Sequence, residues 1–207
     1  MALVKYNDNS ISAISSAGQL ATGSLVPIKT LTASSSATLS FVDGSNDVIL
    51  DSTYPIYKFE FINCHPSSDN VGFKFNMSVD GGSNYNVTKT STVFASYHYE
   101  NDSSTALAYG SSVDLAQSTS DQQISGGTGS DNDQSANGSL TIFNPSSTTF
   151  VKHFLGCVQT SGGDDRSLKY YSGGYGNTTS AVNAIIFKFA SGNIDSGTIK
   201  LYGIKDS

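Results

Sequence analysis

Strict two-residue alternation constrains this chain more than any other feature. Val71, Phe73, Phe75, Met77 and Val79 are apolar, and Gly72, Lys74, Asn76, Ser78 and Asp80 between them are small or polar. A helix would scatter these two sets around its axis, whereas extended backbone sends them to opposite faces. The pattern therefore predicts a half-buried strand that ends in an Asp80-Gly81-Gly82 turn. Upstream, Tyr57, Phe59 and Phe61 alternate with Lys58, Glu60 and Ile62, and the intervening 63–70 stretch holds Pro66 and several turn formers. Read locally, the two runs predict an antiparallel hairpin.

The same reading predicts strands over 25–32, 38–42, 48–51, 93–99, 140–144, 150–159, 167–171, 182–189 and 198–204, most of them separated by Gly, Asn, Asp, Ser or Pro. Phe41-Val42-Asp43-Gly44-Ser45-Asn46 and Phe143-Asn144-Pro145-Ser146 have the chemistry of strand, turn and strand. Glutamate occurs only at Glu60 and Glu100, arginine only at Arg166, and tryptophan nowhere. The residues that sustain helices are thus scarce, and no amphipathic stretch exceeds two helical turns. The expected fold class is all-β: an antiparallel β-sandwich, jelly-roll-like.

A chain of 207 residues fits one such domain. We expect residues 1–24 to form an N-terminal arm or edge segment and 25–207 a single sandwich. Within it, 101–138 reads as a long polar excursion anchored only by Leu107, Tyr109, Val113, Leu115 and Ile124. A loop of that length in a compact domain serves a surface function, orders against a neighbouring subunit, or is an insertion without a role. The start of the chain lacks a basic region followed by an apolar one, so synthesis in a cytoplasm is expected. Cys64 and Cys157 both sit in apolar runs, and buried free thiols are favoured over a disulfide between them.

A net charge of −6 with one arginine and scattered lysines argues against nucleic acid, since phosphate contact needs clustered cations. No apolar run approaches the roughly 20 residues of a membrane span. We expect a soluble chain with no membrane insertion. His65, His98 and His153 stand in no nucleophile–base or metal-ligand spacing, and two glutamates give acid–base hydrolysis little to build on. Catalytic residues and cofactors are therefore not expected. Asp131 and Asp133, and likewise Asp164 and Asp165, lie in oxygen-rich loops. The first lacks the glycine and the distal glutamate of an EF-hand loop, so solvated turn aspartates are favoured over calcium ligands and no metal is expected. The 169–177 stretch, read as a loop, combines Tyr170, Tyr171 and Tyr175 with Gly, Ser and Asn177. That is the chemistry of adaptable binding surfaces, weighed against a strand end with core tyrosines. Those four residues are the candidate ligand-binding positions.

Toward the C-terminus, Ala184-Ile185-Ile186-Phe187-Lys188-Phe189 is followed by a Gly192-containing turn and then Thr198-Ile199-Lys200-Leu201-Tyr202-Gly203-Ile204-Lys205. This ending resembles that of virion structural proteins of marine tailed bacteriophages, which finish on a Leu-Tyr-Gly-Ile-Lys-like strand. The likeness extends in character to Met1 through Asn9, to Asp131-Asn132-Asp133 and to the stretch from Asn144 to Phe154. The resemblance implies a non-enzymatic β-sandwich on the particle surface, either a capsid decoration protein or a tail fibre or tail-tip component. Its implied partners are copies of itself in a homo-oligomer and other virion proteins. The competing expectation is a host-surface glycan-binding adhesin acting as a receptor-binding protein.

Overall fold

The computed structural model describes residues 24–205, so the expected arm over 1–24 lies almost wholly outside the described residues. Twelve strands follow one another with no helix among the described residues. They are β1 (Leu25–Thr32), β2 (Leu39–Val42), β3 (Ile56–Pro66), β4 (Val71–Ser78), β5 (Lys89–Tyr99) and β6 (Thr105–Tyr109). The remainder are β7 (Gln122–Thr128), β8 (Ala136–Phe143), β9 (Lys152–Gly162), β10 (Arg166–Gly176), β11 (Ala184–Phe189) and β12 (Ile194–Ile204).

All ladders are antiparallel, and they define two layers. One layer runs β1-β12-β3-β8 and the other β2-β11-β4-β7. The chain passes between layers at β1 to β2, β2 to β3, β3 to β4, β4 to β5, β6 to β7, β7 to β8, β10 to β11 and β11 to β12. That arrangement of eight strands in two four-stranded sheets is the jelly roll. The protein is an all-β, jelly-roll-like antiparallel sandwich. Four further strands enlarge the first layer: β9 adds to β8, β10 to β9, β5 to β10 and β6 to β5. A single pair, Thr128 with Gly162, laces β7 to β9 where the layers meet at a corner.

The alternation around Phe73 is borne out as a strand, but the expected hairpin with the preceding run is not. β3 pairs with β12 and β8, and β4 pairs with β11 and β7. The 63–70 segment carries the chain from one sheet to the other, so Phe61 and Phe73 meet across the core instead of along a ladder, with rings 5.2 Å apart edge to face. Phe187 of β11 sits at the centre of this core against Phe41, Phe59, Phe61, Phe73 and Phe75. Four of these pairs are edge-to-face or tilted and the Phe73 ring lies nearly parallel to that of Phe187 at 6.0 Å, arrangements that suit the ring quadrupole.

Two further expectations are corrected. The 48–51 run forms no strand. Its donors go to side chains instead, with the Leu50 N–H on Asp43 Oδ1 at 2.8 Å and the Asp51 N–H on the Tyr57 hydroxyl at 3.1 Å. Burial pushes that Tyr57 phenol up to about 12. The 101–138 stretch is not loop throughout: it contains β6, β7 and the start of β8, and most of β7 is buried.

Candidate functional site

The extension β9-β10-β5-β6 has two unlike faces. Strand alternation turns Val93, Phe154, Val158 and Leu168 inward, where all four are buried. The opposite face is open, and the register sets its side chains in rows. One row runs Tyr109, Phe94, Tyr171, Cys157 and Ser139 across β6, β5, β10, β9 and β8. The next runs Thr92, Gly173, Leu155 and Thr141. On the other flank lie Leu107, Ser96, Lys169 and Gln159.

This face exposes large apolar side chains: Leu107 by 73%, Leu155 by 58%, Tyr109 by 56% and Phe94 by 46%. Single exposed apolar residues are ordinary, whereas a contiguous group on one flat face marks a contact surface. Phe94 and Tyr171 stack at 4.9 Å between centroids with planes 16° apart. Lys169 lies 5.0 Å from the Tyr171 ring centroid. The Tyr109 hydroxyl donates to Asp114 Oδ2 at 2.6 Å, which pushes its pKa up.

Gly173 contributes no side chain between Tyr171 and Tyr175, and two shallow depressions open beside it. The first, of about 420 Å³, is lined by Phe94, Tyr171, Leu155 and Cys157 together with Thr92, Ser139 and Thr141. The second, of about 490 Å³, is lined by Tyr175, His153, Phe143 and Leu155 with Thr90 and Thr92. Neither is lined by Asp, Glu, Lys or Arg. The pair offers aromatic faces and hydroxyls to whatever rests there.

The 169–177 stretch is therefore not a loop, because Tyr170, Tyr171 and Tyr175 belong to a strand paired on both sides. Adjacent residues of a strand face opposite ways, which splits the four candidate positions. Tyr171 and Tyr175 line the two depressions. Tyr170 turns inward, where a Cβ on Gly126 of β7 would lie 2.9 Å from its ring, and its burial raises its pKa. Asn177 lies beyond the strand, its Nδ2 donating to Gln117 Oε1 at 2.9 Å. Phe94, Leu155, Leu107 and Tyr109 were not among the expected site residues. The signal that would have found them is register, since they are apolar residues on three different strands, β5, β6 and β9, that only pairing brings together.

The aspartate loops are placed as follows. Arg166 Nε lies 2.9 Å from Asp164 Oδ1, and the Tyr99 hydroxyl donates to Asp164 Oδ2. Asp133 lines a polar depression with His65, Asn63 and Asp195. Among the described residues no three His, Cys, Asp or Glu side chains gather closely enough to hold a metal ion. Cys64 and Cys157 are both free thiols. Burial pushes Cys64 up to about 12.

The architecture and the open face define the class: a jelly-roll-like sandwich with an enlarged sheet whose outer surface is apolar and aromatic. No protein-family model, curated protein or solved structure compared with the chain matches it.

Proposed function

We propose that this chain is a non-enzymatic virion structural protein that acts by assembling with copies of itself, through the outer face of the β9-β10-β5-β6 extension. The observation that carries the assembly reading is the group of exposed Leu107, Tyr109, Phe94 and Leu155 on one sheet face. Leaving that surface in water is unfavourable, and a second copy of the same face would cover it in a two-fold contact. Strand β6 pairs only with β5 among the described strands, so the edge beside the patch is open to the same partner. The virion assignment rests on the resemblance of the C-terminal strands and on the architecture, which capsid and lectin domains share.

The test is light scattering on the purified full chain, wild type and Leu107→Asp/Leu155→Asp. Wild type should run as an oligomer and the double variant as a monomer with the same melting temperature. The chain should also appear in purified particles by mass spectrometry. A wild-type chain that stays monomeric at all concentrations and is missing from particles would end the proposal.

A second reading, a glycan-binding adhesin, is favoured by the lining of the two depressions, where aromatic faces adjoin Thr90, Thr92, Ser139 and Thr141 without a charged side chain. Sugar rings stack their C–H faces on aromatics and hydrogen-bond to hydroxyls. On a glycan array, binding that is lost in Tyr171→Ala and Tyr175→Ala selects this reading. An array with no hits removes it.

A further inference from the structure

Lys89, the first residue of β5, is fully buried, and so is Asn76 of β4. The 113–121 segment runs along them, with Ser118 paired to Lys89 through both backbone bonds and Leu115 bonded to Ser91. Lys89 Nζ donates to Asn76 Oδ1 at 2.5 Å and to the Val87 carbonyl at 2.7 Å. A buried ammonium is ordinarily matched to a carboxylate. Here its side-chain partner is an amide.

Every atom of that amide is engaged in the sense that acyl transfer requires. Its carbonyl oxygen accepts the Met77 N–H at 2.9 Å as well as Lys89; once Nζ attacks, the Met77 N–H is the donor left to hold negative charge on that oxygen. Its nitrogen donates to Asp121 Oδ1 and to the Thr119 carbonyl, each at 3.0 Å. Asp121 is itself fixed by Lys188 Nζ at 2.7 Å. Burial would raise the Asp121 carboxyl, but the hydrogen bonds from Lys188 and Asn76 hold it below its ordinary value, so it stands as a carboxylate beside the leaving nitrogen. Burial also brings the Lys89 amine down to about 8, with the charge of Asp121 opposing the shift. Such a desolvated lysine is still mostly the ammonium at neutral pH, but its neutral, nucleophilic fraction is far larger than that of an exposed lysine and dominates above about pH 8.

We propose that Lys89 and Asn76 form an intramolecular isopeptide bond, driven by this arrangement of amine, amide and Asp121. Nζ of the neutral amine attacks Cγ of Asn76, the Nζ–Cγ bond forms, and the Cγ–Nδ2 bond breaks. One proton leaves Nζ and one arrives on Nδ2, relayed by Asp121, so ammonia departs and no oxidant, cofactor or water is consumed. The product closes a covalent ring over 76–89. It also ties β4 of the four-stranded layer to β5 of the enlarged one, fastening the two layers to each other.

Intact-mass measurement on the purified full chain tests this directly. Loss of ammonia lowers the mass by about 17 Da from the sequence value. Cleavage at Tyr85, between the two residues, should leave the Asn76 and Lys89 peptides joined, and trypsin should fail to cut after Lys89. Lys89→Met and Asn76→Ala should each restore the full mass, and Asn76→Asp should still cross-link with loss of water, about 18 Da. Asp121→Ala, checked for folding by circular dichroism, should abolish or greatly slow the mass loss. A folded wild-type chain at full sequence mass after prolonged incubation overturns the proposal. So does a mass loss that peptide sequencing places at a succinimide elsewhere.

Discussion

Replacing Phe187 with alanine should remove much of the stability of the fold, because its ring packs against five others drawn from both layers. It is fully buried and lies 5.1 Å from Phe59, 5.2 Å from Phe61, 6.0 Å from Phe73, 6.2 Å from Phe41 and 6.5 Å from Phe75. Deleting a buried phenyl ring costs about 3–5 kcal/mol through lost transfer free energy and the cavity left behind. Ring pairs contribute about 0.5–1.5 kcal/mol each beyond area, and five are lost together, so the upper end of that range, about 4–5 kcal/mol, is expected. For a domain of this size that lowers the melting temperature by roughly 10–20 °C. The chain has no tryptophan, so urea unfolding is followed by tyrosine fluorescence and far-ultraviolet circular dichroism at one fixed protein concentration. Phe150→Ala is the control: that ring is 70% exposed, and its loss should change stability by no more than about 0.5 kcal/mol. A Phe187→Ala cost below about 2 kcal/mol at unchanged denaturant slope would refute the reasoning, since a shared central ring cannot be removed so cheaply.

Gly197→Ala should destabilise by about 2 kcal/mol or more in the same assay, because φ there is +118° and a Cβ would lie 2.5 Å from the Asn63 carbonyl oxygen. In the monomeric Leu107→Asp/Leu155→Asp variant a thiol reagent should label Cys157, which lines the open depression, and spare Cys64, which has no exposure and is held as the thiol; labelling of both before unfolding would contradict the placement of β3. Hydrogen bonds from Ser78 and then Asn84 lower the Asp80 carboxyl from its ordinary 3.8 to about 2. The turn it organises should therefore be intact above the ordinary value and loosen as pH falls through about 2. Amide shifts of Gly81, Gly82 and Asn84 in a pH titration by nuclear magnetic resonance check this, and Asp80→Asn should remove the step.

What the sequence shows depends on whether a residue's role is local. The strand over 25–32 and the alternating faces of β3 and β4 are legible because side-chain direction repeats every second residue. The partner of β3 is not, because the 63–70 segment has the residues of a hairpin turn yet crosses between layers. The run at 48–51 looks like a strand by composition, but Asp43 and Tyr57 take its backbone donors. Strand β7 is nearly invisible, since Ile124 is the one large apolar residue in Gln122–Thr128. Its packing comes from what it lacks: a Cβ at Gly126 would lie 1.9 Å from Leu168 Cδ2, so only glycine lets β7 settle onto β10. The candidate site was half legible for the same reason. Tyr171 and Tyr175 stand out as tyrosines among glycines, but Tyr170 faces away from them, and Phe94 and Leu155 join the face only through pairing.

The position of β12 has a consequence for how the molecule comes into being. It is the last strand in chain order, yet it lies between β1 and β3 and is the only described strand that pairs with β1. During translation β1 must wait, unpartnered, until the ten strands between it and β12 have been made. The first layer can be completed only when Ile204 has left the ribosome and meets Leu25 and Ile56. Folding of the first layer thus waits for β12, and a chain cut short before it leaves β1 without its partner strand and β3 with an open edge.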